Sequence, residues 1–169
     1  VWSIDSGELL LQNEVASDVP DPQRGLRPLQ FRSDGTEIVA VTGTVATAEG
    51  VPVTVYSTTS GEVIRETHFR QGNSGRFGSQ LSPDGRRLII ASAPIPFRAN
   101  RSTEITCYDI DTGERVGETL ETESFASFIR GNFRPTVLTP DGSRVAVFAG
   151  AAGDQRIDIL DFETGGQIG

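Results

Sequence analysis

Leu81-Ser82-Pro83-Asp84-Gly85-Arg86-Arg87-Leu88-Ile89-Ile90-Ala91 reads as the end of an apolar strand, a tight turn and a second apolar strand. The turn chemistry is specific. Proline presets φ for the second position of a type I turn, the aspartate side chain accepts from backbone amides just beyond it, and glycine completes the reversal. The same arrangement recurs as FRSDGTEIVAV from Phe31 and LTPDGSRVAVF from Leu138. Two short β-prone segments around such a turn predict a hairpin.

A second motif interleaves with the first. VWSIDSGEL from Val1, VYSTTSGEV from Val55, CYDIDTGER from Cys107 and ILDFETGGQ from Ile159 each join an apolar stretch to a Ser/Thr-Gly turn. Their glycines, Gly7, Gly61, Gly113 and Gly165, are spaced by 54, 52 and 52 residues, which marks an internal repeat. The unit is strand a, Asp-Gly turn, strand b, variable loop, strand c, Ser/Thr-x-Gly-type turn, strand d. For the middle unit the strands are expected at Phe77–Ser82, Arg87–Ala91, Glu104–Asp109 and Arg115–Leu120. No segment holds apolar residues at helical spacing beyond about two turns, so the chain is read as all-β.

Four-stranded antiparallel units repeating at this period are the blades of β-propellers. The chain resembles the WD-repeat family and its bacterial propeller relatives. Ser82-Pro83-Asp84-Gly85 matches the family's Ser-Pro-Asp-Gly turn, and Thr139-Pro140-Asp141-Gly142 nearly does. Where the family has Trp-Asp, this sequence has Trp2-Ser3, Tyr56-Ser57, Tyr108-Asp109 and Leu160-Asp161. The family's Gly-His before strand a is missing, and the repeat exceeds the roughly 40–45 residues of a WD blade. The resemblance is therefore to a divergent WD-like propeller, and it implies an architecture rather than an activity.

Counting strands divides residues 1–169, read as one propeller segment, into strands c and d of a preceding blade (1–13) and blades at 26–69, 76–120 and 134–169. That is about three and a half blades, an incomplete ring, since propellers close with roughly four to eight. The simplest reading is half of a seven- or eight-bladed ring whose remaining blades are one partner, and the runner-up is assembly from two chains. Expressed alone, such a segment is expected to expose strand edges and aggregate.

Composition narrows the function classes. Acidic residues outnumber basic ones 23 to 15, a net charge of −8, which disfavours binding to phosphate backbones and hence nucleic acid. All the basic residues are arginine, which GC-rich coding explains. No stretch reaches the 18 or so apolar residues of a membrane span, so no membrane partner is expected. A single cysteine, Cys107, cannot form an intramolecular disulfide. A cytoplasmic location is favoured on that ground, although a disulfide-free exported domain fits equally well.

The sequence contains one histidine and one cysteine, too few for a His/Cys zinc cluster, and no metal or other cofactor is expected. Cys107 alternates in a strand with Tyr108 and reads as a buried, inert thiol. The carboxylates at Asp109–Asp111 and Asp158–Asp161 read as turn caps and solvated positions. No catalytic residue is assigned.

In propellers the a–b and c–d turns lie on one face and the b–c and d–a loops on the other. The turns here are short and uniform. The opposite loops (13–27, 43–50, 70–76, 92–103, 121–134 and 150–154) are long and varied, and they hold eight of the arginines but only seven of the acids. Phe97, Phe125, Phe128 and Phe133 lie in them too. Arginine beside aromatic residues is the composition enriched at interface hot spots. Phe97, Arg98, Arg101, Arg130 and Phe133 are therefore the candidate protein-binding residues. The expected function is a non-catalytic interaction or scaffold module of a larger multidomain signalling or regulatory protein. Asp109-Ile110-Asp111-Thr112-Gly113-Glu114 has the cadence of propellers appended to bacterial signalling ATPases. The alternative is a segment of a lactonase- or hydrolase-associated enzyme propeller whose active site lies in other blades.

Overall fold

A computed structural model describes residues 29–41, 50–70, 76–93, 103–122, 137–149 and 156–168. Within them the chain forms twelve strands and no helix. The first sheet comprises β1 (Leu29–Phe31), β2 (Glu37–Val41), β3 (Val51–Ser57) and β4 (Val63–Phe69). The middle sheet comprises β5 (Arg76–Leu81), β6 (Arg87–Ala93), β7 (Thr103–Asp109) and β8 (Arg115–Thr122). The third comprises β9 (Val137–Leu138), β10 (Arg144–Ala149), β11 (Arg156–Asp161) and β12 (Gly166–Gln167). Each sheet is an antiparallel meander in chain order. The fold is all-β, built of four-stranded propeller-type sheets in an open array. In the middle sheet the strands begin and end within two residues of the sequence expectation. The strands expected in residues 1–13 lie outside the described residues.

Burial on both faces explains why strand b is a continuous apolar run rather than an alternating one. In β6, Leu88 and Ile90 face the first sheet, where they join Val39, Val41, Val51, Val53, Val55 and Phe69 in one core. Ile89 and Ala91 face the other way, joining Ile105, Cys107 and Leu120 against Leu138, Val145, Val147, Leu160 and Phe162 of the third sheet. The described residues therefore form two cores, each lying between consecutive sheets. A fully buried aliphatic side chain contributes about 1.5–3 kcal/mol relative to exposure, so these junctions dominate the stability of the array.

The two junctions are closed differently at their rims. Gly117 of β8 lies at φ +63°, and a Cβ there would collide with the carbonyl oxygen of Phe162. That close approach lets the next residue, Glu118, donate its backbone N–H to the same carbonyl at 3.0 Å. In the repeat register, Gly117 corresponds to Arg65 in the first sheet. There the junction is closed by charge instead: Arg65 reaches Asp111 at 2.7 Å.

Replacing Gly117 with alanine adds both left-handed strain and a backbone clash, and is expected to destabilise the fold by about 2–4 kcal/mol. Gly35 has a similar backbone, at φ +72°, but a Cβ added there would meet no atom within 4 Å. Gly35→Ala should therefore cost only the conformational strain, about 1 kcal/mol. Denaturant unfolding of the two variants checks the difference, and equal losses would contradict the close-packed junction.

Candidate functional site

The two ends of the sheets are built in opposite ways. At the turn end, Ser82 is buried, donates its hydroxyl to Asp84 Oδ1 (2.6 Å) and accepts from the Arg87 amide (2.9 Å). Thr139 does the same with Asp141 (2.7 Å) and the Arg144 amide (3.1 Å). These hydroxyls and carboxylates satisfy the turn amides that the reversal would otherwise leave unpaired.

The c–d turns are capped in the same manner. Asp109 Oδ1 accepts from the amides of Asp111 and Thr112 at 2.9 and 3.0 Å, and Asp161 Oδ1 accepts from those of Glu163 and Thr164, both at 3.0 Å. Their second oxygens pair with the first residue of strand b: Arg87 with Asp109 and Arg144 with Asp161, each at 3.0 Å. The c–d turn also donates a backbone hydrogen bond to the a–b turn of its own sheet, from Thr58, Ile110 and Phe162 to Thr36, Arg86 and Ser143. The two turns of a sheet thus form one hydrogen-bonded unit.

These contacts hold Asp141 and Asp161 in their charged form. The Thr139 hydroxyl, with the Ser143 amide and hydroxyl, lowers Asp141 to about 2. Asp161 is lowered by the Thr164 amide and by Arg144, and Asp34 by the Thr36 amide. Burial works against ionisation of Asp111, but Arg65 and Arg32 outweigh it and its pKa is lowered. Cys107 is fully buried, and burial pushes its thiol up to about 12, which fits an inert position.

Asp161 caps its turn as the sequence reading expected, but it and Asp158 are buried, at 7% and 4% exposure, rather than solvated. Asp158 accepts from Arg156 Nε and Gln167 Nε2, both at 2.9 Å, and these bonds compensate for its burial.

A charge cluster at the first junction was not expected. Arg32 stands where Ser82 and Thr139 stand in the later turns, and Glu37 stands where they have Arg87 and Arg144. Here the two positions compensate each other within one hairpin. Arg32, only 7% exposed, meets Glu37 Oε2 at 3.2 Å and Asp111 Oδ1 of the middle sheet at 2.5 Å, while Arg65 shares the same Asp111 oxygen. Aligning the three hairpins residue by residue shows the swap; reading each turn alone does not.

The other end carries the long connections. Register pairs Ser92 with Glu104 and Thr103 with Thr122. Loop 94–102, between β6 and β7, and loop 123–136, between β8 and β9, therefore leave the same end of the middle sheet. Phe97, Arg98, Arg101, Arg130 and Phe133 fall in these two loops and lie outside the described residues. Topology places their attachment points side by side. At the first junction the Phe69 and Tyr108 rings meet at a tilt, with centroids 5.4 Å apart, and the Tyr108 hydroxyl donates to the carbonyl oxygen of Arg70, where the 70–75 connection begins. Among the described residues, no group of three or more His, Cys, Asp or Glu side chains is placed to hold a metal ion, and no helix is long and apolar enough to cross a membrane.

The folded state holds Asp141 well below the unfolded carboxylate value of about 3.9. Its contribution is therefore complete above that value and is lost as pH falls toward about 2. The denaturant midpoint should fall between about pH 4 and pH 2, and Asp141→Asn should flatten part of that fall. An unchanged acid profile in the variant would contradict the cap. Asp111→Ala, which strips two arginines of a shared partner, is expected to cost about 1–2 kcal/mol.

The chain matches no family model and no curated protein. Among solved structures it is similar to a eukaryotic initiation factor (14% identity, 85% of this chain and 32% of that one, TM-score 0.48). It is also similar to TolB from Acinetobacter baumannii (19% identity, 83% and 31%, TM-score 0.45) and to the tricorn protease (19% identity, 82% and 12%, TM-score 0.49). The chain thus spans about a third of the first two proteins and 12% of the third. At these identities the likeness concerns shape and carries no activity across. The fold assignment rests on the chain's own sheets: consecutive four-stranded meanders, each packed on the next.

Proposed function

We propose that this chain is a non-catalytic interaction module, a divergent WD-like propeller segment that presents its b–c and d–a loops to a protein partner within a larger signalling or regulatory assembly. The observation that supports this most directly is the contrast between the two ends of the sheets. At the turn end of the second and third repeats, Ser82, Asp84, Asp109, Thr139, Asp141 and Asp161 cap their own turns, and Asp109 and Asp161 also pair with strand b. At the other end, connections of different length and sequence leave a framework pinned by buried apolar residues. Variable loops on a rigid scaffold are where recognition concentrates. Phe97, Arg98, Arg101, Arg130 and Phe133 combine large apolar area with forked, always-charged donors, which suits an acidic or mixed protein surface.

Affinity capture from the source cell should recover a partner with the wild-type chain and lose it with Arg98→Glu/Arg101→Glu, while circular dichroism and thermal unfolding stay unchanged. The same partners recovered in equal amount by the charge-reversed variant would contradict the loop-face reading.

A further inference from the structure

The two junctions bury apolar cores of the same size, with ten buried residues in each, but different chemistry holds their rims. At the second junction backbone meets backbone: the Asp84 amide donates to the Pro140 carbonyl at 3.2 Å, and the Glu118 amide donates to the Phe162 carbonyl at 3.0 Å. At the first junction the rim contacts run through side chains. Gln30 Nε2 donates to the Pro83 carbonyl at 2.9 Å, Arg32 and Arg65 both reach Asp111 Oδ1, and Arg65 Nη1 also reaches the Asp111 carbonyl at 3.4 Å.

Ion pairing sharpens the contrast. Arg87–Asp109, Arg144–Asp161 and Arg156–Asp158 each lie within one sheet. Among the described residues, the ion pairs that cross from one sheet to another are those of Arg32 and Arg65, and both end on the same Asp111 oxygen. In the repeat register, Arg32 and Arg65 correspond to Ser82 and Gly117 at the second junction, and Asp111 corresponds to Glu163. The two cations are thus replaced there by a turn-capping hydroxyl and by the glycine that lets the backbones touch.

These two kinds of rim respond differently to ions. Asp111 is 51% exposed and Arg65 34% exposed, so counterions reach both. The screening length falls from about 10 Å at about 0.1 M salt to about 3 Å at about 1 M. Bonds between neutral amides and carbonyls carry no net charge to screen. Arg32 is buried, but it keeps Glu37 as a partner inside its own hairpin. The contact between the sheets can therefore part without leaving a buried charge unpaired, which would be the costly outcome.

We propose that the first junction is a salt-sensitive seam: ionic strength sets how often the first sheet parts from the middle one, while the second junction stays indifferent to it. The net charge of −8 acts on the whole chain, so the difference between the junctions isolates the seam. The seam lies at the turn end and is independent of the loop-face function.

The repeat supplies matched probes. Cys107, the one cysteine of the chain, is fully buried in the second core, and Val55, its counterpart one repeat earlier, is 1% exposed in the first. Labelling of the wild-type thiol by a neutral alkylating reagent reports opening of the second junction, and Val55→Cys/Cys107→Val moves the probe to the first. Between about 0.1 M and about 1 M sodium chloride, the thiol at position 55 should label roughly threefold to tenfold faster, as the loss of two partly exposed ion pairs implies. The rate at Cys107 should stay level. Adding Asp111→Asn to the moved-probe variant should raise labelling at low salt and remove the salt dependence. Hydrogen exchange of the unsubstituted chain, comparing β3 with β10 at the two salt concentrations, should show the same difference without a moved thiol, because a four-stranded sheet that parts from its neighbour is marginal in water. Equal salt dependence at both junctions by either method, no salt dependence at the first, or a full salt response retained in Asp111→Asn would each overturn the proposal.

Discussion

Everything else in this protein depends on the burial of one sheet face against the next. Among the described residues no sheet has a core of its own: Val39 and Val41 of β2 and Val51, Val53 and Val55 of β3 are covered by the middle sheet, and the apolar side chains of β6 and β7 are divided between both neighbours. A single four-stranded sheet with an open apolar face is marginal in water, so the array is stable only as a stack. That is why strand b is apolar on both sides, and why the middle sheet is the best covered of the three.

The turns serve this stacking as much as they serve chain reversal. The Asp-Gly turns of the middle and third sheets are fixed by their own hydroxyl and carboxylate, and each c–d turn is bonded to the a–b turn beside it. The a–b turns of the middle and third sheets also touch directly, the Asp84 amide donating to the Pro140 carbonyl at 3.2 Å. With their polar groups occupied in this way, the turns form a rigid rim. The first junction replaces part of that backbone contact with the buried Arg32, whose charge is tolerable only because Glu37 and Asp111 meet it.

Most of the architecture was legible in the sequence, because the features that build it are local and repeated. The Pro-Asp-Gly turns, the Ser/Thr-Gly turns and the runs around Leu88–Ala91 and Val145–Val147 each state their own conformation. What was not legible depends on pairing between strands, within one sheet or across two. Gly117 looks like an ordinary strand glycine until Phe162 is placed against it. Arg32 and Asp111 are 79 positions apart in the chain and meet only through stacking. Asp158 reads as a surface carboxylate until Arg156 and Gln167 are seen to satisfy it in a buried position. For the candidate loop residues, composition marked Phe97, Arg98, Arg101, Arg130 and Phe133, and the strand register adds that their loops leave one end of the middle sheet.

Native-state hydrogen exchange tests the stacking account most directly. Amides of Leu88, Ile89 and Ile90, on a strand covered from both sides, should exchange most slowly and only through global unfolding. Those of β4 and β11, which expose Val63, Ile64, Ile157 and Ile159, should open at lower free energy. Exchange at β6 as fast as at β4 would contradict a structure held together by burial between sheets.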